Sequence, residues 1–500
     1  MRTHAARSTS SAAARPSAAY RWWRYACLSV ALASLCACAG VPIAGTQPRI
    51  EAQAPTRPNI VLIVVDDMGW RDWSGAGSRF YRTPHIDALA ERGARFDQAY
   101  SAAAVCSPSR AALMTGKTPA RLHITDWIPG EGTPKAPSTF RVPDWTMQLP
   151  AAETTLAEAL QAFGYRSAYI GKWHLGGVGS LPRDHGFDQS LAAGHAGHPA
   201  SYFWPYGQAG DTHRVPDLAE RGGTTGEYLT DRLTDESIAW ISDSVRQYPG
   251  RPFLLTLSHY AVHVPLQARD EDLAAVANWT PDRRQDNRTY AAMLHALDRS
   301  VGRILKALGA LHLDDNTIVV FTSDNGGLDL SWAHPTSNAP LREGKGHAYE
   351  GGTRVPLIVA GTGRVAPGLR SNHPVSGVDL LPTLLELAGA RSPPSLDGRS
   401  FAATLRGDPP NATRPLGWHY PHYWAGRTVE PWSSLRVGDL KVIRFHEDDH
   451  WELYDLARDP GERHDLATER PRELARMQRQ LGDWLRGQGA QLPVPRHDAE

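Results

Sequence analysis

The sequence predicts an α/β protein: a large doubly wound sheet, mixed but mostly parallel and flanked by helices, with a small C-terminal α+β subdomain containing an antiparallel sheet. Three observations predict it. Short β-branched runs without polar alternation recur along the chain, as parallel strands buried on both faces require. Amphipathic stretches of helical period lie between them. After about Pro393 the pattern changes to polar-alternating strands around a short turn. At 500 residues the chain exceeds one compact core, so a catalytic-size domain with a smaller companion is expected.

Residues 1–37 carry Arg2, Arg7, Arg15, Arg21 and Arg24, no acid, and an apolar run over 25–37. That describes a secretory signal, too short to span a bilayer as a helix. Leu35-Cys36-Ala37-Cys38 resembles a bacterial lipoprotein cleavage box. Lipidation of Cys38 would anchor the chain outside the cytoplasm, in the periplasm or at the outer membrane or cell surface. A plain cleavable signal is the alternative. Residues 38–57 read as a tether, 58–393 as the catalytic domain, 394–490 as the C-terminal subdomain and 491–500 as a tail.

Within the catalytic domain, 59–65 (NIVLIVV) is a continuous apolar run and reads as a buried strand. Residues 151–163 read as a helix with Gly164 as its stop. Strands follow at 165–170 and 252–257. A long amphipathic helix over 288–308 places Leu294, Leu297, Val301, Ile304 and Leu308 on one face. Further strands are expected at 317–322 and 355–360. In the C-terminal part, 435–445 and 451–456 read as strands and 471–485 as a helix.

Lys+Arg and Asp+Glu are equal at 53 each, and the signal removes five arginines. The remaining chain is mildly acidic, so no basic field points to nucleic acid. Cys27 and Cys36 leave with the signal and Cys38 takes the lipid. Cys106 is then alone, which excludes an intrachain disulfide and calls for a chemical explanation.

In open α/β sheets, ligands sit beyond the carboxyl ends of strands. Three such ends are unusual: Asp66-Asp67, Ser323-Asp324-Asn325-Gly326-Gly327 and Gly171-Lys172-Trp173-His174. Singly, each is also a common turn or helix-cap sequence. Together, three carboxylates and an amide form an all-oxygen set suited to a hard dication, Ca²⁺ in preference to Mg²⁺, and not to zinc. Cys106 opens the run CSPSRAALMTGK. Its bland reading is a small buried residue entering a helix. Arg110, four residues on, shares its helical face, and a helix N-terminus with an arginine is an anion site.

CSPSRAALMTGK (106–117) resembles the full motif of the type I sulfatases, of the alkaline phosphatase superfamily, in which the cysteine is oxidised to Cα-formylglycine. The resemblance extends over PNIVLIVVDDMGW at 58–70, GKWHLG at 171–176, SHYAVHVPL at 258–266, SDNGG at 323–327 and LREGKGHAYEGGTRVPLIV at 341–359. It also covers ELYDLARDPGERHDLA at 452–467, in the C-terminal subdomain.

The resemblance implies that Asp66, Asp67, Asp324 and Asn325 bind the metal. Residue 106, as the aldehyde hydrate, would be nucleophile and further ligand. One hydroxyl would attack sulfur to give a covalent sulfate hemiester, and the second would expel sulfate. Arg110, Lys172 and Lys345 would hold the anion, His263 would protonate the leaving alcohol and His174 would take the hydroxyl proton. Lys117 would help orient residue 106. His195, His198, His259, His347 and His422 are candidates for substrate contact. The implied partners are a sulfated glycan or small-molecule ester and a formylglycine-generating enzyme. Two alternatives stay open: a phosphonate monoester or phosphodiester hydrolase on the same scaffold, and a catalytically dead lipoprotein that binds sulfated glycans.

Overall fold

Every residue of the strand Asn59–Val65 is buried, and its side chains alternate between two cores. Val61, Ile63 and Val65 enter one, and Ile60, Leu62 and Val64 the other. A strand apolar on both faces needs cover on both, and this one lies inside an eight-stranded sheet. The order across that sheet is Leu369–Ser371, Gly93–Phe96, Leu357–Ala360, Thr317–Ser323, Asn59–Val65, Phe253–Ser258, Arg166–Gly171 and Gln189–Leu191. The computed structural model describes residues 57–132, 138–330, 334–410, 412, 414–424 and 428–496. The expected signal and the lipidation site at Cys38 lie outside the described residues.

Helices Leu229–Gln247 and Arg288–Ala310 cover one face, burying Leu233, Trp240, Leu294, Leu297 and Val301. Helices Cys106–Thr115, Leu156–Gln161 and Leu380–Leu387 cover the other. The fold is thus the mixed, mostly parallel sheet flanked by helices that the sequence predicts. Only Leu357–Ala360 runs antiparallel to its neighbours Thr317–Ser323 and Gly93–Phe96. It departs from the parallel pattern because no crossover helix precedes it. The chain stays at the carboxyl end through 324–356, then runs back.

Four antiparallel strands, Leu416–Tyr420, Trp432–Val437, Leu440–Phe445 and Trp451–Asp455, form the C-terminal sheet. Helix Pro471–Gln488 packs Met477, Leu481 and Leu485 against Leu435, Val442 and Leu453. The other face carries Trp418, Trp432 and Ile443 onto Tyr100, Ala104, Val105 and Tyr349. That contact matters for the site, because Val105 is the residue before Cys106. No helix among the described residues is long and apolar enough to cross a membrane.

Two expectations need correction, and one helix was not foreseen. The helix expected at 151–163 covers only Leu156–Gln161, because Thr155 caps it: Thr155 Oγ1 accepts from the Glu158 backbone at 3.3 Å while the Glu158 carboxylate accepts from Thr155 N at 2.7 Å. The strand expected at 435–445 is two strands, turning at Gly438, whose φ of +63° suits glycine. Helix Leu229–Gln247 was not expected, because threonine, serine and aspartate interrupt its apolar face.

Candidate active site

The strands Asn59–Val65 and Thr317–Ser323 pair in parallel and in register, Val65 beside Ser323. Their next residues, Asp66-Asp67 and Asp324-Asn325, therefore emerge side by side. Asp67 N donates to Asp324 Oδ1 at 3.2 Å, and Asn325 Nδ2 donates to Asp67 Oδ1 at 2.7 Å. Arg166–Gly171 ends in line with Ser258 of the next strand and delivers Lys172 beside them.

Cys106 begins its helix with Sγ 3.6 Å from Asp66 Oδ1 and 4.0 Å from Asp67 Oδ1. Burial pushes its thiol up to about 12, so as cysteine it is protonated and a weak nucleophile. Lys172 Nζ donates to Asp66 Oδ2 at 2.6 Å, and Lys345 Nζ lies 2.7 Å from Asp67 Oδ1. Arg110 donates to Asp324 Oδ2 at 2.8 Å, Lys172 O at 2.8 Å and Ser258 Oγ at 2.7 Å, and its buried Nη2 makes no hydrogen bond but lies 3.9 Å from Asp66 Oδ1.

Three cations thus face three carboxylates, yet the balance is incomplete. Burial pushes Asp66 up to about 7 against the pull of Lys172, and Asp324 and Asp67 add like charge. Burial would raise Asp67 too, but Lys345, His263 and Lys172 outweigh it and hold that carboxyl below the usual range. Asn325 Oδ1 is buried with no hydrogen-bond partner. Three converging carboxylates, one of them raised by burial, and an orphaned amide oxygen are what a divalent cation would satisfy. Asp66, Asp67, Cys106 and His263 also bring one donor each within 4.8 Å of one another. That set includes soft and nitrogen donors. The oxygen set is the better fit, because His263 Nε2 already faces Lys345 Nζ at 3.0 Å whereas Asn325 Oδ1 faces nothing.

The two site histidines are held by backbone carbonyls. His174 Nε2 lies 2.6 Å from Ile128 O and so carries the proton, while its buried Nδ1 has no partner. His263 Nδ1 lies 2.9 Å from Val264 O, which leaves Nε2 toward Lys345 and Asp67. Burial, reinforced by Lys172 at His174 and Lys345 at His263, lowers the pKa of both. Above them opens a cavity of about 490 Å³. Cys106, His174, His263 and Lys345 line it together with Trp127, Trp424, His195, His198 and His213.

The remaining candidates separate clearly. His195 and His198 line the cavity. His259 does not: it is fully buried with Nε2 3.1 Å from Ser300 Oγ, packed toward helix Arg288–Ala310. His422 is also withdrawn, bonded through Nε2 to Thr125 Oγ1 at 2.8 Å with Trp145 edge-on. His347 turns away, with Nδ1 3.2 Å from Lys345 O and Nε2 3.9 Å from Glu343. Lys117, past the far end of its helix, pairs with Glu153 at 2.6 Å and cannot orient residue 106. Of the 419–424 loop, itself a candidate for substrate contact, Trp424 lines the cavity, and His213 and Trp127 line it without having been singled out. Their segments are irregular and carry no periodic signal, and only the fold brings them to one place.

The class follows from anion-handling groups beside a small helix-start residue at the carboxyl ends of a mostly parallel sheet: an ester hydrolase for a tetrahedral anion. A family model described as Sulfatase matches residues 58–390, and one described as N-sulphoglucosamine sulphohydrolase, C-terminal, matches 344–490. The chain belongs to the sulfatase family. It is 32% identical to a sulfatase of Formosa agariphila, over 91% of this chain and 95% of that one. It is 34% identical to the N-acetylgalactosamine-6-sulfatase of Homo sapiens, over 83% and 82%. Among solved structures it resembles Ps i-CgsB in complex with k-i-k-neocarrahexaose, at 32% identity and a TM-score of 0.70, covering 86% of this chain and 93% of that one. A phosphonate monoester hydrolase of Agrobacterium radiobacter shares the fold at 20% identity and a TM-score of 0.62, covering 88% of this chain and 100% of that one.

Proposed function

We propose that this protein removes sulfate from a sulfated carbohydrate, with residue 106 matured to Cα-formylglycine and Ca²⁺, with Mg²⁺ as the alternative, held by Asp66, Asp67, Asp324 and Asn325. The observation that carries the reading is the place of Cys106, 3.6 Å from Asp66 at the base of a cavity that also receives Lys345, His174 and His263. The cation would neutralise the carboxylates and acidify the attacking hydroxyl. Formylglycine, hydrated, would offer one hydroxyl to take the sulfuryl group and another to let it go.

The chain's own groups have separate tasks. Lys172 and Lys345, now on Asp66 and Asp67, are placed to hold sulfate oxygens, and Arg110, with Nη2 3.9 Å from Asp66 Oδ1, adds positive charge beside them. His174, protonated at Nε2, offers Nδ1 as the base for the hydroxyl of residue 106. His263 would deliver a proton from Nε2 to the leaving oxygen in its doubly protonated form, which the Asp67 carboxylate 3.4 Å away favours and which burial and Lys345 oppose. The carbohydrate assignment rests on relatives: an N-acetylgalactosamine-6-sulfatase and a structure holding neocarrahexaose, each above 30% identity. Export with acylation of Cys38, and maturation by a formylglycine-generating enzyme, belong to the same proposal.

Peptide mass spectrometry of protein from the native host, with sulfate release measured on monosulfated sugars, tests it. An aldehyde at position 106 and release of sulfate are expected. An intact thiol there, or no release from any sulfate ester, would overturn it. Fatty-acid labelling of the wild-type chain but not of Cys38→Ala checks the anchor.

A further inference from the structure

Part of the cavity lining is built from imidazoles with a defined chemical direction. His198 stacks on His213 with ring centres 4.0 Å apart and planes 14° apart. His263 lies parallel to the His198 ring, at 5.8 Å and 9°. The backbone around it is fixed at both ends: His174 N donates to Gly194 O at 3.1 Å, and Ala200 N donates to His213 O at 2.8 Å. Gly197 lets this loop meet the His174 ring, since a Cβ there would lie 2.7 Å from Cε1. His198 therefore has little freedom to turn.

Its tautomer follows from its neighbour. His198 Nδ1 lies 3.1 Å from Pro199 O, and a carbonyl can only accept, so Nδ1 carries the proton. In the neutral ring Nε2 is then a bare acceptor, and among the described residues it has no hydrogen-bond partner. Burial lowers the pKa of His198, which keeps the ring neutral at neutral pH. Sulfate oxygens are acceptors as well, so this nitrogen has nothing to offer the ester group. It can pair only with a donor, and the donors brought into this cavity are the hydroxyl or amide protons of the leaving alcohol.

We propose that His198 is a specificity-determining residue that accepts, through Nε2, a hydrogen bond from a hydroxyl or amide of the sugar carrying the sulfate. The inference rests on the carbohydrate-sulfatase reading. His213 and His263 hold the ring in plane, and the enzyme favours a sugar sulfate over an aryl sulfate that has no donor.

The test uses matured full-length enzyme, with the 4- and 6-sulfates of galactose and N-acetylgalactosamine as sugar probes and p-nitrophenyl sulfate as the donor-free probe. The readout is the ratio of kcat/KM for the best sugar probe to that for the aryl probe. His198→Phe keeps a flat ring in the stack but removes the acceptor, and the ratio should fall about tenfold, mainly through KM on the sugar. His198→Gln, which retains an acceptor oxygen, should recover part of it. An unchanged ratio in His198→Phe overturns the proposal. So does a ratio that falls in His198→Ala but is kept in His198→Phe, because stacking would then be the whole role. If the wild type cleaves only the aryl ester, the carbohydrate reading fails and this inference with it, while the sulfatase stands. If it cleaves neither, the hydrolase reading itself fails.

Discussion

The protein buries two sets of lysines and carboxylates, and they differ in what they leave unpaired. Beneath the cavity, Lys172, Lys345 and Arg110 meet Asp66, Asp67 and Asp324, yet Asn325 Oδ1 and His174 Nδ1 are buried with neither a hydrogen bond nor an ion pair. In the C-terminal region Lys441, fully buried, sits 3.2 Å from Glu350 and 2.8 Å from Glu462. Tyr100 donates to the second oxygen of Glu350 at 2.7 Å, and Glu350 N donates to Glu462 Oε2 at 2.6 Å. The first set keeps unused polar atoms at and just below an open space, with His174 on its lining, and the second spends its charges on joining the C-terminal sheet to the segment that carries Lys345. Buried ion pairs alone do not mark a reactive centre. Unsatisfied polar atoms grouped at a cavity do.

Substitutions should split the two regions along that line. Cys106→Ala is expected to cut sulfate release by at least about a thousandfold while leaving the thermal melt nearly in place. Global unfolding of that variant would remove residue 106 from the chemistry. Lys441→Met is expected to do the reverse, costing about 3–5 kcal/mol of stability because Glu350 and Glu462 stay buried without their cation. A urea midpoint equal to wild type would show that this cluster is not structural.

Two smaller effects sharpen the contrast. Calcium at a hundred times its Kd should stabilise the wild type by about 2.7 kcal/mol. Asn325→Ala should respond less, and equal calcium shifts in the melts of the two would exclude Asn325 as a ligand. In the C-terminal sheet, His419 and His446 share Ser433 Oγ and are held neutral, burial lowering them to about 4 and about 3. The unfolded chain takes up these protons near pH 6.5. Stability from these groups is therefore complete above about pH 6.5 and lost as pH falls toward 4, at up to about 1.4 kcal/mol per pH unit for each histidine. Urea midpoints at pH 7 and pH 5 measure it; no change in His446→Gln relative to wild type would discount His446.

The legibility of the molecule follows the range of its interactions. Strand Asn59–Val65 and helix Arg288–Ala310 were readable because burial on two faces or on one stripe leaves a local period. Asp66, Asp67, Asp324 and Asn325 were readable because each pair directly follows such a strand. Helix Leu229–Gln247 escaped because its apolar face is broken by hydroxyl groups that bond back into the helix, as Thr234 and Ser237 do. Among the histidines, residue type could not separate His198, on the cavity wall, from His259, bonded to Ser300.

By itself the sequence determined the alternation of strands and helices, the acidic strand ends and the single cysteine at a helix start, because these are set by neighbours along the chain. Tertiary structure alone decided which imidazoles face the cavity, which lysine meets which aspartate, and that Asn325 Oδ1 is left without a partner. Those outcomes depend on side chains brought together across more than a hundred residues, and a carbonyl such as Pro199 O or Ile128 O fixes a histidine's proton only once the backbone has placed it there.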